Sequence, residues 1–235
     1  MTSTRLPGKV LLKILDKSLL EYQMERLRRV KLADSIVIAT TVNETDQPIV
    51  EECSRLGVHC FRGSEEDLLS RYYLAASQCE ASAVVRITSD CPLIDPVVID
   101  RVIGVYRDNL PSYDYVSNVL TRTYPRGMDT EVFSFKVLET AFQETVLPAH
   151  REHVTPFIYQ NPQRFSLANV ANDTDLSGHR WTVDTVEDFS LIKNILEEIY
   201  PVNPLFAMGD ILGVLDKNPA WRDINRAIEQ KKLGE

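Results

Sequence analysis

The sequence predicts an α/β protein in which a parallel sheet carries helices on both faces, followed by a helical C-terminal tail. Three observations predict it. Strand-like and helix-like segments alternate at short intervals through the first half, the pattern of a covered parallel sheet. The strand-like runs SIVIATT (35–41) and AVVRITSD (83–90) are near-continuous in β-branched residues, as strands buried on both faces are. The last third is dominated by apolar residues at helical spacing. A length of 235 residues suits one domain, expected to span 1–235 with the helical tail from about residue 200.

Each element has a local reason. Leu20, Met24 and Leu27 set a helical period, with Arg26, Arg28 and Arg29 near its end, where cations suit the helix dipole. The next helix is expected from Asp46 to Leu56, stopped by Gly57. VHCFRG (58–63) reads as a short strand. Ser64 is expected to cap a helix opening on Glu65, Glu66 and Asp67. Pro96 suits the first turn of a helix, with Asp95 as its cap. Further on, YDYVSNVL, TEVFSF, FSLANV and RWTV read as strands. The segments 137–145, 148–160, 187–200, 206–216 and 221–232 read as helices. In the last of these, Trp221, Ile224 and Ile228 mark a packing face.

Composition narrows the function classes. A net charge of -8 argues against nucleic acid or anionic membrane as the main partner, while leaving room for a local phosphate pocket. No apolar run approaches the roughly 20 residues that span a bilayer. The opening residues lack a basic segment followed by an apolar one, so no signal peptide is read. Cys53, Cys60, Cys79 and Cys91 form no C-x-x-C pair and are expected to be reduced thiols, which with the rest points to the cytoplasm.

Chemistry is concentrated in a few places. Arg5 and Lys9 flank Leu6-Pro7-Gly8, with Ser3 and Thr4 ahead of them. A planar guanidinium, a compact ammonium, two hydroxyls and a glycine that lets backbone approach a ligand suit a triphosphate. This is not a Walker loop, because G-x-x-x-x-G-K-[ST] is absent. A frayed basic terminus is the plainer reading from composition. Asp90 and Asp184 each follow a predicted strand, where open α/β sheets bind ligands. Two strand-end carboxylates can share one Mg²⁺ with phosphate oxygens. Asp184 also fits a helix cap by local pattern. His150 and His153 share a helix face, but the H-E-x-x-H form and a third ligand are missing, so a structural or sugar-contact role is expected instead of zinc.

These residues sit in a recognisable series. S-T-R-L-P-G-K (3–9), RGSEEDLLSRYY (62–73), RITSDCPLIDP (86–96), PRGMDTEVFS (125–134), REHVTPFIY (151–159) and WTVDTVEDF (181–189) occur in order over nearly the whole chain. Together they resemble the cytidylyltransferases of the spore coat polysaccharide biosynthesis protein F type, relatives of the CMP-KDO and CMP-neuraminate synthetases. The resemblance implies a glycosyltransferase-A-like nucleotidyltransferase fold, a Rossmann-like three-layer sandwich with a mixed, mainly parallel sheet. It implies CMP transfer from CTP to a sugar acid, with Mg²⁺ as cofactor held by Asp90 and Asp184. Arg5 and Lys9 take the catalytic roles at the triphosphate. Ser3, Thr4, Gly8, Arg62, Gly63, Ser64 and Arg71 are assigned to the nucleotide. Asn118, Arg126, Asp129 and Glu131 are assigned to the sugar, with Arg126 the natural partner of a sugar carboxylate. A homodimer is implied as well. The family places an apolar strand ahead of the loop, in the middle of the sheet. The expectation is therefore a start assigned too far downstream, or a truncation. Asp90→Asn or Asp184→Asn is expected to abolish Mg²⁺-dependent turnover and leave the fold intact. A nucleotide-sugar glycosyltransferase and a non-catalytic nucleotide-binding scaffold are the alternative readings.

Overall fold

Residues 5–230 are described by the computed structural model. Two short strands, β1 (Lys13–Ile14) and β2 (Lys17–Ser18), form an antiparallel hairpin that delivers the chain into α1 (Leu19–Leu27). Ser18 caps this helix, its hydroxyl accepting from the Glu21 N–H at 3.0 Å. There follow β3 (Val37–Thr41), α2 (Gln47–Leu56), β4 (His59–Gly63), α3 (Leu68–Gln78), β5 (Ala83–Arg86) and α4 (Pro96–Asp108). This is the alternation read from the sequence, and α2 stops at Gly57 as expected. The second half holds β6 (Tyr115–Ser117), β7 (Glu131–Ser134), α5 (Phe135–Glu144), α6 (Pro148–His153), α7 (Pro156–Tyr159), β8 (Leu167–Asn169), α8 (Val186–Ile199) and α9 (Met208–Lys217).

The strands form a mixed architecture between helical layers. β3 and β4 pair in parallel. A four-stranded sheet runs β5-β7-β6-β8, in which β5, β6 and β8 share one direction and β7 runs against them. Successive residues of these strands point to opposite faces. Tyr115 and Phe133 therefore join the apolar cluster of α3, α5 and α7, while Val116 and Val132 join that of α4. A third cluster packs α8 and α9 onto Trp181, Val183 and Tyr22, and a fourth packs α1 and α2 onto Ile38 of β3. Among the described residues, β3 and β5 do not pair with one another, so the strands fall into separate sheets with a gap between these two.

Four local expectations are corrected. The cap of α3 is Asp67, whose carboxylate accepts from the Ser70 N–H at 2.9 Å; Ser64 stands a step earlier and accepts from Asp67 itself. The predicted helix over 148–160 breaks at Val154, with φ +71°, because Pro156 has no N–H to continue the ladder. RWTV is not a ladder strand: Trp181 N–H donates to the Arg126 carbonyl and Val183 N–H to that of Asp90, two separate neighbours. Of the helix expected at 221–232, the described residues hold instead a short 3-10 turn, Pro219–Asp223, and 231–232 lie outside them. Beyond it Asn225 turns inward to donate to the Arg180 carbonyl and the Asp188 carboxylate. The packing face itself is present, since Trp221 and Ile224 lie against the α8–α9 cluster.

Candidate active site

The site forms where the opening loop meets the ends of two chain segments. Gly8 adopts a left-handed conformation, φ +68°, which a side chain would resist, and turns the loop so that Lys9 points inward. Lys9 Nζ lies 2.8 Å from Asp90 Oδ2 and 2.7 Å from Asp184 Oδ1. Arg5 Nη2 approaches Asp184 Oδ2 at 3.1 Å. Asp90 follows β5, and its other oxygen accepts from the Thr88 hydroxyl at 2.6 Å. The Asp90 carbonyl accepts the Val183 N–H at 2.9 Å, so one backbone bond sets the spacing of the two carboxylates. Gln23 of α1 steadies the same turn by donating to the Thr88 carbonyl at 2.7 Å.

Electrostatics follow from this geometry. Burial alone would push the Lys9 pKa down, but the charges of Asp90 and Asp184 outweigh it and hold the ammonium above its ordinary value. For Asp184 burial pulls upward, and Lys9, Arg5 and Arg180 together hold the carboxylate below its usual range.

Arg180 and Asp188 are participants that the sequence reading missed. Arg180 Nη2 donates to Asp184 at 2.8 Å while its Nε donates to the fully buried Asp188 at 2.9 Å. Asp188 also accepts from the Asp184 N–H and closes a capping box with Thr185 at the start of α8. The helix cap is thus Thr185, and Asp184 is left facing the loop. The signal was the T-x-x-D spacing at Thr185 and Asp188, which marks a helix start one residue beyond Asp184.

The remaining predicted residues divide. Ser3 and Thr4 lie outside the described residues. Gly63 ends β4 with the Arg71 side chain packed on it: an added Cβ would come 2.6 Å from Arg71 Cγ. Ser64 is exposed beside them. Arg62 ties the end of β3, donating to the carbonyls of Thr41 (3.0 Å) and Asn43 (2.9 Å) and to Gln47 (3.2 Å). Asn118 is fully buried and bridges two strand ends, donating to the Met128 carbonyl at 2.7 Å and accepting from the Thr130 N–H at 2.9 Å. Glu131 is 4% exposed and spent on an interior network with Arg86, Tyr115 (2.5 Å) and Thr155 (2.7 Å). Asp129 is held by both terminal nitrogens of Arg122, at 2.6 and 2.7 Å. Arg126 is half-buried, and its guanidinium makes no hydrogen bond or ion pair among the described residues. His150 is a structural histidine, between Thr145 (3.3 Å) and Gln160 (3.1 Å).

The comparisons with known proteins meet this geometry. The cytidylyltransferase family profile matches residues 1–203. The chain belongs to the cytidylyltransferase family. A solved cytidylyltransferase from Leptospira borgpetersenii superposes with a TM-score of 0.90 at 34% identity, covering 99% of this chain and 95% of that one. An uncharacterized protein of Methanocaldococcus jannaschii is 40% identical over 99% of this chain and 94% of its own length. The spore coat polysaccharide biosynthesis protein SpsF of Bacillus subtilis is 31% identical over 93% and 92%. This cytidylyltransferase is accordingly a nucleotidyltransferase with the nucleotidyltransferase fold, and its loop and paired carboxylates lie within the matched residues.

Proposed function

We propose that this cytidylyltransferase transfers CMP from CTP to a sugar acid, with Mg²⁺, in the cytoplasm and for surface polysaccharide or glycan synthesis. The observation that carries the reading is the Lys9 ammonium, held between Asp90 and Asp184 at the mouth of the opening loop. Both carboxylates aim an oxygen at one point, and hard oxygen donors of this kind suit Mg²⁺, which is typically held by one or two carboxylates plus substrate phosphates. Asp90 and Asp184 would hold the ion, which supplies charge neutralisation at the phosphates when bound.

Arg5 and Lys9 bind triphosphate oxygens, Arg5 through a planar fork and Lys9 as a point charge. Arg180 and Asp188 keep Asp184 in place from behind. Gly63 and Arg71 offer a close-packed wall for the nucleotide. Arg126 takes the sugar carboxylate, since its guanidinium has no partner among the described residues and stands next to Gly127. The hydroxyl of the sugar attacks the α-phosphorus and pyrophosphate leaves; catalysis rests on alignment and charge neutralisation. The name of the Bacillus subtilis relative supports polysaccharide synthesis as the setting.

The test is pyrophosphate release from CTP across a panel of sugar acids, with UTP in parallel. CTP- and sugar-acid-dependent pyrophosphate supports the reading. Transfer from a nucleotide sugar without pyrophosphate would make the protein a glycosyltransferase instead.

A further inference from the structure

A cleft of about 500 Å³ lies between the segment 177–181 and the C-terminal segment 219–228. Four arginines line it, Arg126, Arg180, Arg222 and Arg226, against one carboxylate, Asp223. The chain as a whole carries a net charge of -8, so this is a local reversal of sign. The four cations are not equally committed. Arg180 is spent on Asp184, Asp188 and Gln230. Arg222 pairs with Asp216, and Arg226 with Asp223 at 3.4 Å. Both are solvent-exposed pairs, worth about 0–1 kcal/mol and cheaply exchanged for another anion. Burial and the charge of Arg222 lower the pKa of His179 on the same wall, as a positive field does. Trp181 lines the cleft too, and its fully buried indole N–H has no partner among the described residues. Guanidinium and indole nitrogens donate and do not accept, so the polar wall calls for an acceptor-rich ligand. The rest of the wall is apolar, with Leu191, Leu215, Pro219 and Ile228 beside Trp181.

We propose that this cleft binds a phosphate monoester carrying a ring-sized body, at a site separate from the Lys9–Asp90–Asp184 centre. A monoester presents nearly two negative charges and three acceptor oxygens, which two guanidinium forks answer through charge-assisted bonds. Arg222 and Arg226 hold the phosphate. Arg126 lines the same cleft but is left to the acceptor carboxylate assigned to it above. A lone carboxylate would leave one of the two exposed arginines unanswered. The apolar wall calls for more than a bare anion, and the volume falls within the roughly 300–1,000 Å³ of small-molecule pockets. Arg180 joins this cleft to the catalytic centre, since one guanidinium donates both to Gln230 of the C-terminal segment and to Asp184.

The experiment titrates the full chain with ribose 5-phosphate and with CMP, against ribose, cytidine and inorganic phosphate. The readout is the indole N–H resonance of Trp181 in nuclear magnetic resonance, told from that of Trp221 by Trp221→Phe. Both monoesters are expected to shift it saturably, ribose and cytidine to leave it still, and inorganic phosphate to bind more weakly. Arg222→Gln combined with Arg226→Gln is expected to weaken monoester binding by about tenfold or more. Both side chains are exposed, so this double variant should melt with the parent. Lys9→Met is expected to leave the binding unchanged. No saturable shift with either monoester overturns the proposal. So does binding that is lost in Lys9→Met and kept in the double arginine variant, which would place the ligand at the opening loop. Inorganic phosphate binding as tightly as the monoesters overturns it as well, leaving an adventitious ion only. No turnover enters the readout, so its failure and that of the proposed reaction are separable.

Discussion

Lys9 is held charged by two carboxylates, and removing either one has different consequences. Asp90→Asn is expected to abolish Mg²⁺-dependent pyrophosphate release with a near-native melting temperature, because Thr88 and Lys9 can still bond the amide. Asp184→Asn should abolish turnover and also cost about 1–3 kcal/mol of stability, since it leaves Arg5, Lys9 and the buried Arg180 short of a charge. Here the structure alters the sequence expectation of an intact fold for both variants; full activity in either would sink the metal assignment. The pair also sets a pH dependence. Asp184 has a depressed pKa in the fold, so its contribution is present above its unfolded pKa and is lost as pH falls through the lower folded value. The raised Lys9 pKa works the other way, its contribution being lost as pH rises through the folded value, in the alkaline range. Lys9→Met should therefore flatten the loss of stability that sets in as pH falls below the ordinary carboxylate range, measured as melting temperature against pH. An unchanged acid limb would show that Lys9 does not set the Asp184 charge. Arg5, Lys9, Asp90 and Asp184 were named in the sequence chiefly through the family resemblance, and the structure brings the four side chains together, although the RWTV segment ahead of Asp184 is not a strand. Asn118 and Glu131 were assigned to the sugar because polar residues grouped around Gly127 suit hydroxyl and carboxylate recognition. Both lie inside, and only the three-dimensional pairing of Glu131 with Arg86 and of Asn118 with backbone reveals that.

At the scale of elements, the Arg126–Met128 turn is fixed by a close backbone approach. Gly127 has φ +100°, and a Cβ there would lie 2.7 Å from the Trp181 carbonyl carbon and 2.9 Å from the Thr182 nitrogen. Gly127→Ala is expected to cost about 1–3 kcal/mol through strain and displacement of that backbone. Chemical denaturation measures it, and a variant as stable as the parent would mean that the turn is free to shift. From β3 to α4 the strand and helix positions were readable because residues such as Gly57 and Pro96 mark element ends, whereas the β1–β2 hairpin was not read and the cap of α3 was placed three residues early. RWTV was misread as a ladder strand because composition reports β-tendency and says nothing about whether a partner edge lies alongside. The C-terminal segment kept its predicted contacts at Trp221 and Ile224 and lost its helix. Periodicity marks the buried face, whereas the inward pull on Asn225 is a tertiary effect.

For the whole molecule, the fold class was legible from alternation alone, while the separation of the strands into two main sheets was not. Pairing across a sheet depends on which strand lies next to which, and no single segment carries that information. Ligand binding offers a global check. CTP with Mg²⁺ at about 100 times its dissociation constant should stabilise the folded chain by about 2.7 kcal/mol, seen as a raised melting temperature that UTP, ATP and GTP match poorly. No rise with any nucleotide would count against a formed pocket. Finally, Trp181 is fully buried, its indole N–H has no partner, and its backbone is bonded to Arg126 on one side and followed by Asp184 on the other. The chain has only one other tryptophan, Trp221. Trp221→Phe would thus leave tryptophan fluorescence to Trp181 alone, placed between the Arg126–Met128 turn and the carboxylates. Its emission should be blue in the resting protein and, on the proposed function, should change in intensity when a sugar acid is added, an optical signal of acceptor binding that needs no label and no turnover.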